Sequence, residues 1–286
     1  MTTQLIKKYA TARRLLQTEG AKAVLQEGYS QVNQKLDRGK IERWTRKWVR
    51  GIDNPWLGRI IEARGNIVHI DGCVFSVDNP AISTAVKSWF VFSRYEKPER
   101  RALKKFLDPK LPVVEFGAAI GVVACLTNKR LSDPKKHVVV EANPDLLPLL
   151  KENRDRNDCQ FTMLHRAVAH EREEVAFHQS ENYLGSSAHA PTGIPISVRA
   201  ITLREIVDDF GFERCSLVCD IEGGEGDIVR YEADTLAQRV QTFIVEVHPW
   251  ALGEASTRDM LIELERIGFH RVYKEDATYV FQNSLR

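Results

Sequence analysis

No stretch of this 286-residue chain approaches the ~20 consecutive apolar residues that a membrane-spanning helix needs. The first residues, MTTQLIKKYATARR, hold no uninterrupted apolar core, so a secretory leader is not expected. Five cysteines, Cys73, Cys125, Cys159, Cys215 and Cys219, lack any paired metal-ligand spacing. An odd, scattered set reads as reduced thiols in a cytoplasmic protein, with Cys215 and Cys219 flanking an apolar core strand. Internal repeats, low-complexity segments, zinc-finger spacing and RNA-binding signatures are all missing, which leaves nucleic acid unsupported as a partner. What remains is ordinary for a well-cored protein, 43% hydrophobic and 28% charged. The length fits one large α/β domain with an appendage, or two modest domains.

Charge is spread unevenly. Residues 1–50 carry twelve Lys/Arg against four Asp/Glu, a surplus of eight, so residues 51–286 stand at −6 within an overall +2. Apolar positions Leu5, Tyr9, Leu15, Leu16 and Val24 recur at helical spacing over 3–27, and Ile41, Trp44 and Trp48 share one face of a basic helix at 40–50. Packing on the main domain or on a second copy is the expectation for these helices; contact with a membrane surface is the sharper alternative. The stretches RIIEA, NIVHI and CVFSV are then short and β-rich, separated by Arg64-Gly65 and Asp71-Gly72, and predict a small antiparallel element.

Beyond residue 93 strands and helices alternate. Strands are expected at 112–116, 137–141, 160–164, 215–221 and 242–247, with helices at 119–131, 144–156, 202–209 and 225–237. A further helix starts near Pro98, and a β-like excursion at 173–178 and 195–200 interrupts the order. The chain closes with helix 256–267 and the strands HRVYK and TYVFQ. Such a pattern builds a parallel sheet covered on both faces, whose ligands sit beyond the carboxyl ends of the strands.

The stretch VVEFGAAIG, residues 113–121, ends a strand on a carboxylate and turns on Gly117, Ala118 and Gly121. A phosphate loop needs Lys-Ser/Thr after the second glycine; Val122-Val123 stand there, which excludes it. A dinucleotide turn needs a middle glycine where Ala119 stands, and Glu115 would repel a pyrophosphate. A sulfonium cofactor with an ammonium and no phosphate, S-adenosylmethionine, suits the pattern better. Glu115 would then orient its amino-acid end through water or backbone groups, Gly117 would turn the chain against it, and Gly121 would let the next helix pack close. Twenty residues on, HVVVEANPD puts Glu141 at a strand end, where an ionised acceptor can bind both ribose hydroxyls. Asn143 is a candidate helix cap, and the backbone of Ala167 a candidate adenine contact.

Two further strand ends are acidic. SLVCDIEGGEGDIV presents Asp220 and Glu222, and FIVEVHP presents Glu246 and His248. Their convergence on one sheet edge suits a general base for an alcohol, with His248 best poised near neutral pH. The alternative is a divalent cation such as magnesium held by Asp220, Glu246 and His248.

YEKPE, VVEFGAAIG, VVVEANPD, the GSS at 185–187, DIEGGEGDIV and IVEVH occur in this order, and over residues 93–286 the chain resembles the FkbM family of S-adenosylmethionine-dependent methyltransferases. The resemblance implies a class I methyltransferase fold, a Rossmann-like, mostly parallel seven-stranded sheet with helices on both faces. It also implies transfer to a hydroxyl of a sugar, polyketide or related product, with Tyr95 and Glu96 lining the cofactor site and Asp220 and Glu222 near the transferred methyl. Ala119 departs from the asparagine usual in the first motif, and Gly226 from a helix former. Residues 1–92 fall outside the shared core and are expected to serve acceptor recognition, a lid or self-association. An NAD(P)-dependent oxidoreductase and a noncatalytic interaction module are the alternatives from other classes.

Overall fold

The computed structural model describes residues 55–80, 82–91, 93–179 and 194–284. The basic helices expected before residue 51 and the GSS at 185–187 lie outside the described residues. One compact unit spans Asp53–Arg286. It opens with α1 (Pro55–Glu62), β1 (Ile67–Ile70), β2 (Cys73–Ser76), α2 (Thr84–Val91) and α3 (Lys97–Phe106). The boundary expected at residue 92 therefore falls inside this unit, and the hairpin belongs to its core. Val68, Ile70 and Phe75 join one apolar cluster with Ile120, Leu149 and Leu150.

The sheet that organises the unit runs β11-β12-β10-β9-β3-β4-β5, with β3 (Val113–Phe116), β4 (His137–Glu141), β5 (Thr162–His165), β9 (Cys215–Cys219), β10 (Val240–Glu246), β11 (Phe269–Glu275) and β12 (Thr278–Asn283). Neighbours from β5 to β10 pair in parallel, and only β12 runs against its two neighbours. Central strands β3, β4 and β9 are buried at every position, which is why they read as continuous apolar runs. The crossovers carry α4 (Val122–Asn128), α5 (Leu147–Arg156), α6 (Leu203–Asp209), α7 (Glu225–Tyr231), α8 (Ala233–Arg239), α9 (Pro249–Leu252) and α10 (Glu254–Arg266). The excursion forms a separate small sheet of β6 (Ala167–Val168), β7 (Glu174–Gln179) and β8 (Ile194–Ile201). This is the expected seven-stranded, mostly parallel architecture.

Three expected elements differ. RIIEA is helical, because α1 packs on α2 so closely that a Cβ on Gly58 would stand 1.6 Å from the Thr84 carbonyl oxygen. Arg64-Gly65 ends that helix, with Gly65 at φ +73°, and is no hairpin turn. The single helix expected at 225–237 breaks into α7 and α8 at Glu232, whose carboxylate turns away to accept the amides of Leu203 (2.8 Å) and Arg204 (2.7 Å).

The β1–β2 ribbon, joined at Asp71-Gly72 as expected, is fastened to α5 by side-chain amides. Asn153 accepts from Ser76 N (2.7 Å) and donates to Ser76 O (3.0 Å) and Ile120 O (2.9 Å). Asn157 accepts from Val74 N and donates to Val74 O, both at 2.8 Å. These two asparagines take the role a third strand would have.

Candidate active site

The carboxyl ends of β3, β4, β9 and β10 bring the sequence-derived residues together. Gly117 turns at φ +79°, and a Cβ there would lie 1.8 Å from the carbonyl oxygen of Asp220. The neighbouring strand end alone therefore requires a glycine here. Gly121, at φ +87°, leaves 2.6 Å between a Cβ and Leu150 Cδ1, so its tight contact is with α5 rather than with the next helix, α4. Ala119 also stands at positive φ (46°), so α4 starts only at Val122 instead of at residue 119.

Glu141 clasps this turn. Its Oε2 accepts the amides of Ala118 (3.0 Å) and Ala119 (2.8 Å), and its Oε1 accepts that of Asn143 (2.7 Å). Burial raises its pKa against the pull of these bonds. Oε2 thereby has both of its lone pairs engaged, and only Oε1 keeps capacity for a hydroxyl donor. Asn143 does not cap α5. Its Oδ1 accepts from Asp145 N (3.1 Å) in a turn ahead of the helix, and its buried Nδ2 has no partner. Ala167 is buried in β6 and paired with Ala200, so its backbone is partly engaged in the small sheet.

Glu115 lies deeper than a strand-end acid. It is 1% exposed, and its Oε2 stands 3.3 Å from Nε2 of the fully buried His137. Asn128 Nδ2 faces His137 Nδ1 at 3.4 Å, which leaves the ring proton on Nε2, toward Glu115. Burial alone drives Glu115 well above the usual carboxylate value, favouring its protonated form, and brings His137 down to about 3, so the imidazole is neutral at pH 7. Tyr95 is buried and stacks on Phe90 at 4.5 Å, and Glu96, at φ 50°, starts α3.

The acidic groups crowd one another. Burial, reinforced by Glu96 and Glu99, raises Asp220 well above its usual range. Burial and then Asp220 and Glu99 bring Glu246 up to about 8, and burial brings Glu222 up to about 7. Buried carboxyl oxygens on Glu96, Asp220 and Glu222 have no hydrogen-bond partner. His248 sits among them with Nε2 at 3.6 Å from Asp220 Oδ1 and Nδ1 at 2.7 Å from Glu225 Oε1. Burial lowers the imidazole pKa, but the bond to Glu225 and the charges of Glu225, Glu246 and Glu222 outweigh it, so the net shift is upward. Glu225 is fully buried and held by the amide of Gly223 at 3.0 and 3.2 Å. As an acceptor it keeps the proton on Nδ1 and presents the Nε2 lone pair to Asp220. Sequence reasoning missed Glu225; its position at the start of a helix behind two glycines was the available signal. Asp220, Glu246 and His248 also bring one ligand atom each within 4.8 Å of one another.

A parallel sheet with one reversed strand, a glycine turn and an acid at the next strand end defines a protein of the class I methyltransferase fold. Residues 115–279 match the methyltransferase FkbM domain, and the chain belongs to that family. No curated protein sequence matches it. Among solved structures it is similar to precorrin-6y C5,15-methyltransferase from Geobacter metallireducens, 14% identical over 64% of this chain and 86% of that one, TM-score 0.38. It is also similar to M. jannaschii TYW2 in complex with AdoMet, 13% identical over 75% and 82%, TM-score 0.38. The fibrillarin pre-rRNA processing protein of Methanococcus jannaschii is 9% identical over 77% and 83%, TM-score 0.41. Likeness at this level says nothing of substrate. No helix among the described residues is long and apolar enough to cross a membrane.

Proposed function

We propose that this methyltransferase uses S-adenosylmethionine to methylate a hydroxyl of a sugar or of a polyketide-like product. The observation that carries the reading is His248, tied at Nδ1 to Glu225 and open at Nε2 toward Asp220, whose backbone the Gly117 turn touches. The surrounding residues fit a cationic donor. The unpartnered carboxyl oxygen on Glu96 suits an ammonium, the acidic edge as a whole suits a sulfonium, and Asn143 Nδ2 offers a donor. A pyrophosphate is disfavoured, because the amides of Ala118 and Ala119 are already given to Glu141. That weighs against the nicotinamide alternative.

In this reading Tyr95, Glu96, the 117–121 turn, Glu141 and Asn143 hold the cofactor. When bound, S-adenosylmethionine supplies an electrophilic methyl on a good leaving group. The chain's part is to align the acceptor oxygen, exclude water, and take the hydroxyl proton on His248 Nε2. Glu115 acts at one remove, as a buried partner of His137 beneath the turn. A divalent cation is the second reading, favoured by the 4.8 Å cluster of Asp220, Glu246 and His248; turnover abolished by EDTA and restored by magnesium would support it. Residues before 53 are candidates for acceptor recognition or self-association.

Calorimetry tests the reading directly. S-adenosylmethionine and its demethylated product should both give heat, and NAD none; the opposite pattern sinks it. His248→Ala should keep the donor heat and lose transfer. Near-normal turnover at saturating substrate across pH 6–9 would remove His248 as the base.

A further inference from the structure

We infer that Trp250 floors the acceptor subsite and that the acceptor is a sugar-type ring, uncharged or amino-bearing. The inference rests on His248 as the group that takes the acceptor's proton. Trp250 stands two residues after His248 on α9, and the two rings meet edge-on, with centroids 5.8 Å apart and planes at 80°. Trp250 is nonetheless 69% exposed. Its position is fixed on both sides. Pro249 opens the helix, and Leu252 at its end lies 3.1 Å from where a Cβ on Gly226 would be, so α9 packs directly on α7. Gly226, a departure from a helix former, is thereby accounted for.

An open indole beside the reacting position selects a ligand with an apolar face. Among the described residues the titratable groups around His248 are Asp220, Glu222, Glu225, Glu246 and Glu99, all acidic. Asp220 and Glu222 keep oxygens without a partner. A phenolic ring would cover the indole but leave those oxygens unmet, a costly arrangement. A saccharide supplies both needs, with a C–H face for the indole and hydroxyl donors for the carboxyls. An acceptor bearing a carboxylate or phosphate would meet like charge, whereas an ammonium would be attracted.

The test is saturation-transfer NMR on the full chain with methyl glucoside, methyl glucosaminide, methyl glucuronide and p-cresol. Glucoside and glucosaminide should receive saturation and glucuronide should not. Trp250→Ala should weaken both by about tenfold or more, and Trp250→Phe should retain them. Equal binding by Trp250→Ala, silence from both saccharides, a glucuronide signal as strong as theirs, or a preference for p-cresol overturns the assignment. S-adenosylmethionine heat is measured on each variant. Its loss in Trp250→Ala makes the indole a fold residue and also overturns the inference. Saccharide binding by a wild-type protein that gives no donor heat would sink the methyltransferase reading and leave this subsite standing.

Discussion

Glu225 is the side chain that decides what His248 can do. Below its raised pKa the imidazole is charged and cannot accept a proton, so kcat/KM should climb with pH through an apparent pKa above 6.5. Glu225→Gln removes a cause of that elevation, so the acid limb should move to lower pH. The same change lets the ring adopt the wrong tautomer, and kcat should fall roughly a hundredfold or more. A purely structural role would lower activity without moving the midpoint, so the pH profile is the deciding measurement. Asp220, Glu246 and His248 were legible in the sequence because they end apolar strands, where chain direction alone puts them on one edge. Glu225 was not, because its carboxylate is brought back by a turn at Gly223 that no spacing rule encodes. Glu115 was legible as an acid but not as a buried one; its partner His137 begins the adjacent strand, and only the register of β3 on β4 sets them together.

At the scale of elements, the turn after β3 is the most constrained piece of backbone. Gly117→Ala would put a side-chain atom against the Asp220 carbonyl and force a positive φ on alanine. A loss of about 2–4 kcal/mol in urea unfolding is expected, together with weakened donor binding. Unchanged stability would mean that the two strand ends are free to part. Strands were read well because the buried ones are uninterrupted apolar runs. Helix starts were read early at α4 and α5, since residues with positive φ or in Asx turns still carry helix-like composition. The reading failed at α1 because Ile60 and Ile61 carry strand propensity, while the helix there depends on Gly58 meeting α2, a contact distant in sequence.

For the molecule as a whole, the acidic edge couples folding to pH. Glu222 and Glu246 titrate near 7 and 8 when folded and near 4.5 otherwise, so between those values the native state binds more protons than the unfolded one. Stability without ligand should therefore fall as pH rises from about 4.5 to 8, and a Tm series should record it. A cationic donor reverses the penalty on ionisation, so its binding at pH 7 should release protons. Calorimetry in two buffers of different ionisation enthalpy should give different heats; identical heats would mean that the carboxyls keep their protons and the ligand's charge lies elsewhere.

Asparagine amides, rather than another strand, occupy the outer backbone groups of β2 at Val74 and Ser76. An edge covered in this way offers no template for a foreign strand, so this ribbon is protected against sheet-to-sheet aggregation. It also binds the fate of the ribbon to the turn between Gly117 and Gly121. The amide of Asn153 that closes the edge at Ser76 also reaches Ile120, so peeling the ribbon away would loosen the glycine turn at the same moment.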